Sequence, residues 1–577
     1  MSTQTLANGR HAPALHEAMA RLAAQRFLQR LEEGDASLWS ADPAAQQAIR
    51  RRLGWLTITR TMAAQTESLQ RFARQIHGED LTHAVLLGMG GSGLFAEVCR
   101  QTLQVGTPPL DVTVLDTTDP IAIRRQQQRC ALERLLVIVS SKSGSTSEVS
   151  ALSKYFTHAL TSAGVEAGAH VIVITDAGTP LEAQAKAWNS RRVFTHGPGT
   201  GAEVGGRFSA LTYFGLVPAA LMGAQTSTLL ARADAMRAQC GPTTPLEENP
   251  AVQLGAALGA FANIGVDKLT LLCPPALASV GTWIEQLIAE STGKMGRGIV
   301  PIHGEPWPDG VAYGTDRLFV ELQLAGQPDR RLDAHVRALI ADGHPVIRVQ
   351  WHDPYDLGGE VMKWFIATAM AGNLLSINPF DEPNVQESKD RTKALLDQYA
   401  RAGRLPDDAA PLYAEEDIVL YGAVQPHAPE SLTHAFAAFL EQLRPQEYVA
   451  LLSFLPRTSA LDAAMQAWRA GLAKRLAHAT MLGIGPRYLH STGQLYKGGP
   501  DAGVFFLLTA EARDDVPIPG EPWTFGVLKQ AQALGDVQAL QQRGRRVLRV
   551  HLRGDLEQAL RRVQQRVDEA IAQLALR

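Results

Sequence analysis

The chain has 577 residues, of which 45% are hydrophobic and 20% charged, and its 55 Lys and Arg against 58 Asp and Glu give a formal net charge of -3. That near-balance excludes the basic excess of a nucleic-acid binder, the globular composition excludes a disordered or fibrous chain, and no run approaches the ~18 apolar residues of a membrane helix. At roughly 150 residues per domain, the length predicts three or four packed units. Taken in order, the first 80 residues read as helix: Ala18, Met19, Leu22, Phe27, Leu28 and Leu31, then Ile49, Leu53, Leu56 and Met62, recur at helical spacing. From residue 84 the pattern changes to short apolar runs separated by helical stretches. Ala84–Leu87, Asp111–Leu115, Leu135–Val139 and Val171–Thr175 are predicted strands. Near-continuous apolar strands alternating with helices predict a parallel sheet covered on both faces, a doubly wound α/β domain.

A second α/β unit is expected from about residue 250, with strands at Leu269–Cys273, Leu318–Leu322 and Val346–Val349 and a helix over Gly359–Ala371. Arg401 to Pro429, carrying Pro406, Pro411, Pro426 and Pro429, reads as a linker. The remainder resembles the second unit. Ala338-Leu339, Gly343 and Val346–Val349 have the same spacing as Ala539-Leu540, Gly544 and Val547–Val550. Val449–Leu452 and Phe505–Leu508 would match the two earlier strands, so a partial internal duplication is predicted.

The four cysteines, Cys99, Cys130, Cys240 and Cys273, are far apart and form no CxxC pair. A disulfide framework or structural zinc site is not expected, and with no apolar core of a signal peptide near the start a cytoplasmic setting is.

Two loops carry the chemistry. Gly88-Met-Gly90-Gly91-Ser92-Gly93 lies between a predicted strand and helix, where glycines allow a tight turn and the helix N-terminus favours an anion. The spacing also fits the dinucleotide fingerprint, with Asp116 as the ribose-binding acid, and that reading stays open here. The loop Ser141-Lys142-Ser143-Gly144-Ser145-Thr146 also joins strand to helix. Its hydroxyls, backbone N–H groups and lysine suit the three oxygens of one phosphate monoester. Two such loops on one sheet suit a sugar phosphate better than a pyrophosphate. No HExxH or other tight metal-ligand spacing occurs.

These residues resemble the phosphoglucose isomerase family, which has the sugar-isomerase (SIS) fold. The family's Gly-Gly-Ser turn and Ser-Lys-x-x-x-Thr loop match Gly90–Ser92 and Ser141–Thr146. Its Gly-Gly-Arg-(Phe/Tyr)-Ser matches Gly205–Ser209, its Glu-Ser-x-Gly-Lys matches Glu290–Lys294, and its Asn-Pro-Phe-Asp-x-Pro-x-Val with a downstream Lys matches Asn378–Val385 and Lys389. The nearest resemblance is to the isomerase part of bifunctional transaldolase/phosphoglucose isomerase proteins, although the chain has no room for a transaldolase barrel of ~250 residues.

The resemblance implies tandem SIS-type doubly wound α/β/α sandwiches over 81–245 and 246–405, with a helical segment over 1–80 and a third, partly duplicated α/β unit over 406–577. It implies interconversion of glucose 6-phosphate and fructose 6-phosphate by ring opening and enediolate proton transfer, with no cofactor or metal. Ser141, Lys142, Ser143 and Thr146 would hold the phosphate, and Gly91 and Ser92 would contact the substrate. Glu290 would be the base that reaches both C1 and C2; the apolar Trp283, Ile284, Leu287 and Ile288 before it are expected to raise its pKa. Arg207 would stabilise the enediolate. Lys389, with Lys393 as a weaker substitute, would contact the ring oxygen.

The ring-opening histidine departs from the pattern. Bacterial members carry it in a His-Ser-x-Gly-Gln motif about twenty residues after the Glu. Here that position holds Pro301-Ile-His303-Gly-Glu-Pro, and the motif occurs instead at His490-Ser491-Thr492-Gly493-Gln494. In the family this histidine comes from the neighbouring subunit. The expectation is therefore that the C-terminal unit supplies His490 in cis, making the chain a monomeric pseudo-dimer. His303 and a homo-oligomer are the alternatives. Lys497-Gly498-Gly499-Pro500, after the motif, reads as a plain loop.

Overall fold

Thr3–Ala7 form a strand, β1, ahead of the expected helices at Ala12–Ala24, Phe27–Glu32, Pro43–Arg51, Ile58–Ala63 and Thr66–His77. The all-helical reading of residues 1–80 is corrected there: Thr3-Gln-Thr-Leu-Ala is too short and polar to stand out as a strand, and it forms because an edge hundreds of residues away pairs with it. The computed structural model describes residues 2–103, 106–197, 203–406, 410–422, 429–512 and 514–575. The chain divides into two compact units. One comprises Met1–Asp116, Gln126–Gly304 and Arg317–Glu382, the other Thr117–Arg125, Glu305–Asp316 and Pro383–Arg577.

The first unit holds two sheets. β2 (His83–Leu87), β3 (Asp111–Leu115), β4 (Leu135–Ser140), β5 (Val171–Asp176) and β6 (Arg192–His196) form a parallel sheet in the order β3-β2-β4-β5-β6. The central strand β4 is buried throughout and β5 at all but its last residue, as continuous apolar runs require. α1 (Leu94–Thr102) follows β2, and α2 (Ser147–Ser162) follows β4.

The second sheet contains β7 (Lys268–Leu272), β8 (Val300–His303), β9 (Arg317–Leu324) and β10 (Val346–Trp351), in the order β1-β10-β9-β7-β8 with only β1 antiparallel. α3 (Ala278–Thr292) joins β7 to β8. α4 (Asp356–Leu374) is buried at every position, which explains why its sequence is apolar on all sides. Its two interior charges, Glu360 and Lys363, pair at 2.8 Å.

In the second unit α5 (Val385–Ala402) runs into the expected linker. β11 (Tyr413–Glu415) and β12 (Ile418–Tyr421) form a hairpin within it. The linker reading is thus corrected for the described residues; Pro426 lies outside them. β13 (Tyr448–Ser453), β14 (Ala479–Ile484), β15 (Gly503–Ala510) and β16 (Arg546–Leu552) complete a sheet of order β11-β12-β16-β15-β13-β14. α6 (Gly493–Gly498) precedes β15, and α7 (Phe525–Gln542) precedes β16.

The second and third sheets share one plan. Four parallel strands stand in the order fourth, third, first, second, with an antiparallel strand beside the fourth. The third sheet buries Val449, Leu451, Phe506, Leu548 and Val550 in its own core. Among the described residues no helix is long and apolar enough to cross a membrane.

Candidate active site

The site of the first unit is built where the carboxyl edge of the first sheet meets the last turn of α3. The chain leaves β2 through Gly88–Gly93 and leaves β4 through Ser141–Thr146. Ser92 ties the two loops together: its carbonyl accepts from Ser140 Oγ at 2.6 Å, and its hydroxyl accepts from the Lys142 N–H at 3.3 Å. Within the second loop Ser141 Oγ and Thr146 Oγ1 are 3.1 Å apart, and Ser143 Oγ accepts from Ser145 Oγ at 3.2 Å. Gly144 turns the loop at φ +66, and a Cβ there would stand 2.7 Å from Thr179 Cβ. The loop opens on a cavity of about 270 Å³ lined also by Ser150, Ser153, Lys154 and Gln184.

The Lys142 ammonium pairs with the Asp176 carboxylate at the end of β5. Burial raises the Asp176 pKa against the pull of that lysine. The loop's positive charge is therefore held by a carboxylate of the first sheet.

Gly91 faces the backbone of the loop that carries Arg207. A Cβ at 91 would lie 2.0 Å from the Gly206 carbonyl oxygen. Ser209 Oγ donates to the Gly206 carbonyl at 2.6 Å and lies 3.2 Å from that of Gly91. The glycines let two loops touch, backbone against backbone.

The same close approach sets Arg207, which is almost fully buried. Its Nε donates to Ser291 Oγ at 2.7 Å, its Nη2 to the carbonyls of Pro379 at 2.7 Å and Asp381 at 2.8 Å, and its Nη1 to Glu382 at 3.0 Å. Nη1 also lies 3.6 Å from a Glu290 carboxylate oxygen. Glu290 occupies the end of α3, behind the buried Trp283, Ile284, Leu287 and Ile288, with its side chain 10% exposed.

Three residues missed from the sequence complete this cluster. Burial pushes the Glu382 carboxyl up, but the Arg207 and Arg52 guanidiniums outweigh it and hold it at about 2. Arg52 Nη1 reaches Glu382 at 2.8 Å and the Phe380 carbonyl at 2.6 Å. Lys294 is buried, with its ammonium 2.6 Å from both the Asn378 carbonyl and Asp381 Oδ1. Burial and the Arg207 charge lower it to about 7. Lys294 and Glu382 stand inside motifs already noted; nothing in the sequence marks Arg52.

His303 ends β8, and its ring packs on the first turn of α3, where a Cβ at Gly281 would stand 2.2 Å from Nδ1. Nine residues of helix, about 13 Å, separate Gly281 from Glu290. The first unit therefore places His303 at the opposite end of α3 from the carboxylate.

Lys389 and His490 belong to the second unit. Lys389 and Lys393 are exposed on α5, and His490 is half-buried at the end of the turn Arg487–His490. Gln494 and Asn384 exchange two hydrogen bonds of 2.9 Å, so the His490 motif is bonded to the end of the Asn378–Val385 motif. Lys497, expected in a plain loop, is instead buried in α6 and ion-paired.

The first unit thus brings together Glu290, Arg207, Gly91, Ser92 and the loop bearing Ser141, Lys142, Ser143 and Thr146. A doubly wound α/β frame carrying a hydroxyl-rich loop and a buried carboxylate–guanidinium pair defines a candidate site for a phosphorylated sugar. Among solved structures, a glucose-6-phosphate isomerase from Chlamydia trachomatis shares the fold with a TM-score of 0.56 at 17% identity, over 69% of this chain and 89% of that one. A hypothetical protein from Thermus thermophilus aligns with the same score at 24% identity, over 68% of this chain and 99% of that one. The phosphoglucose isomerase family profile matches residues 59–299. A probable glucose-6-phosphate isomerase of Haloquadratum walsbyi is 30% identical over 373 residues, 57% of this chain and 83% of the relative. The glucose-6-phosphate isomerase of Synechococcus sp. (strain JA-3-3Ab) is 28% identical over 378 residues, 57% of this chain and 70% of the relative. The chain belongs to the phosphoglucose isomerase family.

Proposed function

We propose that the chain interconverts glucose 6-phosphate and fructose 6-phosphate in the cytoplasm. The observation that carries this reading is the Arg207–Glu290 pair at 3.6 Å, joined through Gly206 and Gly91 to the loop at 141–146. The phosphate sits on the hydroxyl and N–H donors of Ser141, Ser143 and Thr146, beside Ser92, with Lys142 behind them. Glu290 takes the proton from one of C1 and C2 and returns it to the other, through an enediolate. Arg207, fixed by its bonds to Ser291, Pro379, Asp381 and Glu382, offers a preorganised positive charge to the oxygen on which charge develops. Such a donor needs no reorganisation as the reaction proceeds. The proton transfer asks for no metal.

Ring opening is assigned to His490, on its motif, and to Lys389. The chain contains both the Glu290 and the His490 motifs, and its third sheet repeats the plan of the second. A single chain as the working form is the matching expectation.

The test is a coupled assay of fructose 6-phosphate conversion on the purified chain without added metal, repeated with Glu290→Gln and His490→Ala. Turnover that is abolished by the first change and reduced by the second supports the reading. A parent that binds sugar phosphate without turnover would replace it with a sugar-phosphate sensor. Turnover indifferent to His490→Ala would remove that residue from ring opening.

A further inference from the structure

Asp536 lies on α7 and is fully buried. Its carboxylate accepts three hydrogen bonds from three different elements. Ser388 Oγ donates to Oδ1 at 2.9 Å, Lys497 Nζ donates to Oδ1 at 2.8 Å, and Tyr488 Oη donates to Oδ2 at 2.7 Å. Ser388 is the residue before Lys389 on α5. Tyr488 stands two residues before His490, in the same turn. Lys497 is on α6, immediately past the His490 motif.

We propose that Asp536 is the positioning residue that sets Lys389 and His490 for ring opening, an inference that rests on the roles given to those two residues above. A lysine–carboxylate pair in a dry interior adds little net stability over a well-packed apolar contact, because desolvation offsets the attraction. Its directional bonds do what apolar packing does not: they fix how α5 and the Arg487–His490 turn are set against each other. Burial and the neighbouring Asp536 charge raise the Tyr488 pKa well above its usual value, so its hydroxyl stays a donor. A second link reinforces the first. Asn384, at the start of α5, and Gln494, on α6 just after the turn, exchange two hydrogen bonds. At Gly535 α7 approaches α5 so closely that a Cβ would lie 3.0 Å from Thr392 Oγ1, leaving no slack between the helices.

The test uses Asp536→Asn and the milder Tyr488→Phe, which removes one bond and no charge. If Asp536→Asn fails to fold, Asp536→Asn with Lys497→Met leaves no unpaired buried charge. Misplacing catalytic groups by about 1 Å can cost about 10²-fold in rate, so kcat on fructose 6-phosphate is expected to fall by about 10- to 100-fold with KM within about threefold of the parent. Combined with both His490→Ala and Lys389→Ala, Asp536→Asn should cost nothing further, since it acts through those two residues. Folded variants with parental kcat, or a further loss on top of the combined His490→Ala and Lys389→Ala changes, would overturn the positioning role. If His490→Ala and Lys389→Ala leave turnover unchanged, the ring-opening assignment fails, and the proposal with it.

Discussion

Arg207 Nη1 stands 3.6 Å from a Glu290 carboxylate oxygen and 3.0 Å from one of Glu382, so a single buried guanidinium faces two carboxylates. Glu382, shared with Arg52, takes the shorter contact and serves as the structural counter-ion. Glu290 takes the longer one, at the end of an apolar helix. Glu290→Gln keeps the shape and removes the base, so kcat should fall by about 10²- to 10⁴-fold. KM should change little, because the phosphate loop is untouched; steady-state kinetics on both sugar phosphates separates the two constants.

Arg207 donates through all three guanidinium nitrogens to a hydroxyl, two carbonyls and Glu382. A lysine has no planar fork to replace them. Arg207→Lys and Arg207→Met should both lower stability, the latter by about 3–5 kcal/mol, because the buried Glu290 loses this guanidinium and the Pro379 and Asp381 carbonyls lose their donors. Urea unfolding of the purified variants should show a lower midpoint with an unchanged slope.

Two groups of this cluster make stability rise with pH, in two separate windows. Glu382 is held at about 2 in the folded chain against a usual 4.5. Its contribution is complete above pH 4.5 and is lost as the pH falls from there through about 2, and Glu382→Gln should flatten that acid limb. Lys294 is lowered to about 7 from 10.5, so between those values the unfolded chain binds more protons. Stability should therefore rise with pH across that window, and Lys294→Met should abolish the rise. Denaturant midpoints measured from pH 2 to 10 test both windows.

Gly144 sits at φ +66, with Thr179 Cβ where a methyl would go. Gly144→Ala should distort the loop at 141–146 and raise KM about tenfold, a loss of ~1.4 kcal/mol in binding. Gly91→Ala has no room at all against the Gly206 carbonyl. It should push Arg207 away from Glu290 and reduce both kcat and melting temperature. A loop that only met solvent would tolerate either methyl.

Where the sequence reading succeeded and failed follows from burial on two faces. β2, β4, β5, β7, β9 and β15 lie inside their sheets and are written as apolar runs. The unread strands β1, β6, β8, β11 and β14 all stand at sheet edges, and β12 pairs with one of them. An edge strand has one neighbour and less to bury; β1 carries Thr3-Gln4-Thr5, and β8 a proline that only an edge tolerates. The site shows the same division. Glu290 and Arg207 stand in motifs, whereas the Arg52–Glu382 pair exists only because the fold joins positions 330 residues apart. Asp536 carries no local signal either, since its three donors come from segments 39 to 148 residues away.

The pairing of β1 with β10 has a consequence for synthesis. Ala7 bonds opposite Val346, so the early strand leaves the ribosome roughly 340 residues before its partner exists. At about 5–20 residues per second that wait lasts roughly 20–70 s. During it, Thr3–Ala7 is an unpaired strand on a nascent chain, the kind of segment that seeds aggregation when apolar. Its Thr-Gln-Thr run is soluble enough to wait, and the sheet that it borders closes only when the tenth strand arrives.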